Sequence, residues 1–264
     1  MSTRRWSRTG FILAGVLCYA LFLLVTLPAS WMQSLLTRIS RGAVTLDQTE
    51  GTFWSGTGNL VVRGAIQEPL QARLAWSLEP LWLFTGKLAV QVQARGDTEL
   101  HATLRLGYRY LAVSNANATL SATKTAIFYA PVMLATPAGQ LQVATDRLEL
   151  DSGGLHGTLR LTWVDAGSSM AGLNKLGDYQ MTVKGEGANA AIRVDTLRGD
   201  VDVTATGNWQ AGGDGTLRLD GKVAPGSREQ SLAPFLTAVN AQRNGDQYTF
   251  SASARIPVRG LLGN

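Results

Sequence analysis

Two histidines (His101, His156), one cysteine (Cys18) and the carboxylate pair Asp200 and Asp202 are the side chains whose types could carry nucleophilic, metal or acid–base chemistry in this sequence. A histidine site for a metal or a nucleophile needs convergent partners. Neither histidine has a second ligand type at ligand spacing, and Cys18 lies inside an apolar N-terminal run. Each histidine falls on the polar side of an alternating segment, where a solvated strand residue is expected. Asp200 and Asp202 also share one side of an alternating segment beside turn glycines, which denies them the burial that shifts a carboxyl toward acid–base work. No Walker A loop occurs, and the glycine clusters open no strand-to-helix unit that would cradle a phosphate. Asn117-Ala118-Thr119 fits a glycosylation acceptor only formally. The expectation is a protein without catalytic residues, metal, cofactor or small-molecule substrate.

Charge narrows the partners. The net charge is +5, but Arg4, Arg5 and Arg8 contribute three of the 24 Lys+Arg, leaving 21 against 19 Asp+Glu beyond residue 8. A nucleic-acid surface needs a basic stripe interleaved with aromatics, whereas the polar positions here mix both signs, so nucleic acid is excluded as a partner. With Cys18 as the sole cysteine, no internal disulfide can form.

Elements that could position side chains begin with Gly10 to Leu27, an apolar run of 18 residues preceded by three arginines. As a helix it would extend about 27 Å, near the hydrocarbon thickness of a bilayer. The charge bias then predicts a cytoplasmic N-terminus, with Trp31 at the far interface and the bulk of the chain in the periplasm. A cleaved signal peptide shares this pattern, although signal cores are usually shorter. The resulting division is a cytoplasmic tail over 1–9, a transmembrane helix over 10–30, a juxtamembrane linker over 31–42 and a β domain over 43–264. The inner membrane is thus the expected location and the first partner.

Past the linker, apolar and polar residues alternate in segment after segment, as in strands with one buried and one wet face. The segments are Leu70–Trp76, Leu88–Arg95, Leu100–Leu106, Leu141–Leu150, Leu155–Trp163, Tyr179–Val183, Ala191–Leu197, Asp200–Trp209, Thr216–Val223 and Tyr248–Ile256. Turn signals separate them, among them Asp151-Ser152-Gly153-Gly154, Lys184-Gly185-Glu186-Gly187, Gly212-Gly213-Asp214-Gly215 and Asn244-Gly245-Asp246. This predicts a mostly β fold, an antiparallel meander of about ten strands. Leu232, Phe235, Leu236 and Val239 behind Ser231 predict one short helix, and Met170, Leu173 and Leu176 behind Ser169 a weaker second one. So little helix cannot cover ten apolar strand faces, so the sheet must curve. Val90, Val92, Val201, Val203, Trp209 and Phe250 are expected on its concave side, largely filled because an exposed apolar strip invites association.

Several short phrases carry a family resemblance in their order along the chain. They are the basic start with a membrane segment ending Thr26-Leu27-Pro28-Ala29, then Gly51-Thr52-Phe53-Trp54-Ser55-Gly56, then Trp76-Ser77-Leu78-Glu79-Pro80-Leu81-Trp82-Leu83 with Gly86-Lys87-Leu88. Near the end, an apolar helix leads through Asn244-Gly245-Asp246 into Tyr248-Thr249-Phe250. Together they resemble type II secretion system protein N, over nearly the whole length. The resemblance implies a non-enzymatic inner-membrane component of the apparatus that exports folded proteins from the periplasm, with the inner-membrane platform or the secretin as partners. It also implies structural roles for Gly51, Trp54, Gly56, Trp76, Pro80 and Gly86. The alternation is similar, too, to that of AsmA-like and TamB-like periplasmic proteins, whose curved sheets hold a greasy groove and move lipids. A third class, a secreted binding module, follows if the N-terminal segment is cleaved.

Overall fold

The computed structural model describes residues 8–63, 69–127, 137–168, 173–210, 215–238 and 240–255. Two helices come first, α1 (Arg8–Val25) and α2 (Ser30–Ile39). Fourteen strands follow: β1 (Val44–Gly51), β2 (Ser55–Val62), β3 (Leu70–Glu79), β4 (Lys87–Gly96), β5 (Thr98–Gly107), β6 (Tyr110–Ser121), β7 (Pro137–Asp151), β8 (Gly154–Ser168), β9 (Leu173–Gly187), β10 (Asn189–Gly199), β11 (Asp202–Gln210), β12 (Thr216–Ala224), β13 (Gln242–Asn244) and β14 (Gln247–Arg255). Helix α3 (Glu229–Ala238) lies between β12 and β13. All the strands form one antiparallel sheet in the order β1 to β12, then β14 and β13, so nearly every strand pairs with its chain neighbour. At about 4.8 Å per strand, the ladder extends roughly 60 Å from β1 to β13.

Register explains why the alternating pattern folds this way. Trp76 lies opposite Val92, Leu78 opposite Val90, and Val90 opposite Leu104. The same parity runs on through Leu104 opposite Val113 and Val113 opposite Leu148. It continues with Leu159 opposite Val183 and Val183 opposite Ile192. Ala190 opposite Trp209, Trp209 opposite Leu217 and Gly221 opposite Phe250 complete it. Directly opposed residues share a face, so one apolar face crosses the sheet. A one-residue slip anywhere would turn a strand's apolar set to the other side, which fixes the pairing.

Each end of that face has its own cover. Beneath β1 to β4, Ala29, Met32 and Leu36 pack on Leu46, Leu74, Trp76 and Leu78. At the other end, Leu232 and Leu236 of α3 pack on Val201, Val203, Val223 and Tyr248.

Several expectations need correction. Among the described residues the strand count is fourteen, not about ten. β6 was missed because its alternation is carried by alanine, serine and asparagine, β13 because it has three residues, and β1 and β2 because glycine, threonine and asparagine dilute their pattern. Among the described residues no helix is long and apolar enough to cross a membrane; α1 has 18 residues but starts at Arg8, which shortens its apolar part. The stretch expected as a linker is helical over Ser30–Ile39. The weaker helix near Leu173 and Leu176 is instead the start of β9, where Leu173 pairs with Ser168 and β pairing overrides a short helical spacing. Arg4, Arg5, Ser169, Met170, Gly212 to Asp214, Val239 and Ile256 lie outside the described residues.

Candidate functional site

Two features stand out, a joint where α1 meets the sheet and a hollow in the middle of the apolar face. The joint is the β1–β2 hairpin. Gly51 takes φ +94°, and a Cβ there would stand 2.6 Å from the Ser55 carbonyl oxygen. Only glycine meets both demands. The Thr52 N–H donates to that same carbonyl at 2.8 Å, and the Ser55 N–H to Thr52 Oγ1 at 3.1 Å, closing the turn. Phe53 and Trp54 form its tip, their rings edge-on at 5.4 Å.

From this tip bonds run in two directions. Toward the helices, the Phe53 N–H donates to the Leu27 carbonyl at 2.8 Å and the Ala29 N–H to the Gly51 carbonyl at 3.3 Å. The Trp54 indole N–H donates to the Leu24 carbonyl at 2.7 Å. Leu24 is in the last turn of α1, where carbonyls have no partner within the helix, so the indole acts as a cap from a distant strand. Toward β3, the Trp76 indole donates to the Phe53 carbonyl at 3.0 Å and the Leu78 N–H to the Trp54 carbonyl at 2.6 Å. Gly56 leaves room for Trp76, because a Cβ there would stand 2.6 Å from both the Trp76 ring and the Glu50 carbonyl.

Pro80 opens a 3-10 turn over Pro80–Thr85, and Gly86, at φ +71°, carries the chain into β4. Glu79 holds this turn by accepting from the Trp82 indole at 2.9 Å and the Gln91 amide at 2.8 Å. The Trp82 ring then covers the Arg105 guanidinium at 5.3 Å. All six motif positions therefore lie at the joint or in the turn that follows β3.

The hollow has a volume of about 370 Å³ and is lined only by apolar side chains from seven strands, β6 to β12, among them Leu111, Leu148, Leu159, Met181, Ile192 and Trp209. Its volume is within the range of small-ligand sites. Around it Leu150, Leu155, Ala190 and Trp209 are buried and pack with Leu111, Leu148, Val183, Ile192 and Leu217, so the hollow is a gap beside a third apolar cluster between the two ends. Of the six residues predicted for the concave side, only Trp209 lines the hollow. Val90 and Val92 pack in the cluster under α2, and Val201 and Val203 in the cluster under α3. Phe250 lies against Gly221, where a Cβ would meet its ring at 2.4 Å. Leu111, which sequence reading missed, belongs to β6 and would have been found by extending the parity of Leu104 and Leu106 across one more strand.

On the polar side several ionisable groups are paired. Burial pulls the Glu149 carboxyl up, but hydrogen bonds from Arg147 and Tyr110 outweigh it and hold it below its ordinary value. Asp178 is held low chiefly by the Asp165 N–H at 2.8 Å, against its burial and with Arg198 beside it. His101 is exposed, and His156 lies 3.9 Å from Asp151 across exposed turn residues. Asp200 pairs with Arg228 at 3.1 Å, and Asp202 is exposed. Among the described residues no three His, Cys, Asp or Glu side chains converge as a metal site would need.

A family model described as type II secretion system (T2SS), protein N matches residues 42–251. The chain belongs to this family. The match starts just after Arg41 and covers the joint, the hollow and α3, so the T2SS protein N signature resides in the sheet. No curated protein and no solved structure matches the chain.

Proposed function

We propose that this T2SS protein N chain is a non-enzymatic, inner-membrane component that supports export of folded proteins from the periplasm across the outer membrane. The family match over residues 42–251 supports the type II secretion part of this reading. In it, the N-terminus is cytoplasmic, α1 is inserted in the membrane and the sheet stands in the periplasm, working with the inner-membrane platform or the secretin and needing no cofactor. The exposure of α1 supports the insertion: Phe11, Leu13, Val16, Tyr19 and Phe22 are all above 60% exposed, which water does not favour for a packed helix. The apolar part of α1, Gly10 to Val25, is about 24 Å long and falls roughly 6 Å short of a typical hydrocarbon core, a mismatch that thinning of the bilayer would have to meet. The joint then couples helix to sheet through Trp54, so that force or position at the membrane reaches the sheet.

Deleting the chain is expected to leave type II substrates in the periplasm, while His101→Ala with His156→Ala leaves secretion unchanged. Loss of secretion in the double histidine variant at wild-type protein level would overturn the non-enzymatic reading. The hollow favours a second reading, carriage of lipid acyl chains as in AsmA-like and TamB-like proteins. Normal secretion in the deletion strain combined with a defect in outer-membrane lipid supply would transfer the assignment to it.

A further inference from the structure

Helix α2 has two apolar stripes, of which the sheet covers one. Met32 and Leu36 face the core beneath β3. On the adjoining side, about 80° round the helix, Trp31, Leu35 and Ile39, spaced i, i+4, i+8, are 60%, 43% and 75% exposed. Arg38 and Arg41 flank this outer stripe and are exposed as well. Such spacing places the three apolar side chains in one row along the helix.

Two observations identify what covers the row. The first is continuity: α2 starts five residues after α1 ends, and the Trp54 and Phe53 bonds fix the intervening chain against the hairpin, so the exposed apolar surface of α1 runs on into this stripe. The second is charge. Five arginines and no aspartate or glutamate occur between Met1 and Leu46; the first acid is Asp47. A short helix with an apolar row, a tryptophan and flanking arginines, beside a membrane-inserted helix, has the composition of an interfacial helix on an anionic surface.

We propose that the outer face of α2, formed by Trp31, Leu35 and Ile39 with Arg38 and Arg41, lies in the headgroup region of an anionic bilayer and makes α2 a second membrane contact. The inference rests on the reading that α1 is inserted. It adds an orientation. A helix through the membrane leaves rotation about its axis free, whereas a second helix in the surface plane fixes the direction in which the sheet leaves the membrane.

The test uses the full-length protein in vesicles of phosphatidylethanolamine and phosphatidylglycerol containing a headgroup-level nitroxide lipid. In a Cys18→Ser background, single cysteines from Leu35→Cys, Ile39→Cys and, as control, the exposed Thr206→Cys carry an environment-sensitive fluorophore. The nitroxide lipid is expected to quench the labels at 35 and 39 several-fold more than the label at 206, while aqueous iodide shows the reverse order. Arg38→Glu with Arg41→Glu should reduce lipid quenching at 39. If the protein sediments with the vesicles but positions 35 and 39 are as open to iodide as 206, the inference is wrong and the anchor reading stands. Protection from both quenchers would assign the stripe to a protein contact and equally overturn it. Failure to sediment would instead overturn insertion of α1.

Discussion

Replacing Gly56 by alanine tests whether the joint is built as described. The added methyl would sit 2.6 Å from the Trp76 ring and 2.6 Å from the Glu50 carbonyl oxygen, with the Thr52 carbonyl at 3.1 Å. Neither close neighbour yields easily. The Glu50 oxygen belongs to the paired backbone of β1, and Trp76 is 5% exposed with its indole bonded to the Phe53 carbonyl. Relief requires several tenths of an ångström of movement in the strand or the ring, an overpacking strain of about 1–3 kcal/mol. For a domain of this size that lowers the melting temperature by about 2–12 °C. Gly107→Ala is the matched control: its methyl would meet nothing closer than Lys87 Cγ at 3.4 Å, in an ordinary backbone conformation. Thermal melts of both variants, followed by circular dichroism, measure the difference. If Gly56→Ala melts with the wild type and with Gly107→Ala, the close approach of Trp76 to Gly56 is not a constraint, and the account of the motif fails.

Trp54→Phe keeps an aromatic ring at the hairpin tip but removes the donor to Leu24. The expected cost of about 1 kcal/mol is local, so amide exchange at Ala29 and Phe53 should quicken about five-fold while the sheet amides keep their protection. Tyr179 has its phenol pushed up to about 12, first by burial and then by the charges of Asp202, Asp200 and Asp178. Because the folded value lies above the ordinary 10.0, the neutral phenol's contribution is complete below pH 10 and is lost as pH rises from 10 toward 12. Tyr179→Phe should therefore flatten the alkaline decline of the melting temperature over that window, while losing the hydrogen bond to the Val201 carbonyl at neutral pH.

How much of this was legible depended on what each feature is made of. Strands with large apolar residues, such as Leu70 to Trp76 and Asp200 to Trp209, announce their faces in sequence, and the structure keeps those faces. β6 does not, because Ala112, Ala116 and Ala118 give little contrast with serine and asparagine. The motif glycines could be recognised as a group, but their reason could not: that Gly56 makes space for a tryptophan twenty residues away is a tertiary fact. Helix α2 was readable in principle, since Met32 and Leu36 stand four apart, yet only ten residues and no capping side chain mark it. The hollow was the least legible. Alternation says that a face is apolar and is silent on whether a helix covers it, and here α2 and α3 cover the ends alone.

The nearly sequential order of the sheet bears on how the molecule is made. A chain made from its N-terminus presents its strands in the order β1, β2, β3, and each strand finds its pairing partner already in place. No early strand waits for a late one, as it must in a Greek key, so the contacts to be formed are short in sequence and loop closure costs little at each step. The joint completes first, because Trp54 and Trp76 are among the earliest residues after α1. Growth then proceeds like a zip from that fixed end, each new hairpin extending a template. Meanwhile the unfinished edge moves forward, so the strand left unpaired at any moment is always the newest one. The exception is the last step, where β14 inserts between β12 and β13 and α3 closes over Val201, a final local rearrangement that ends the ladder.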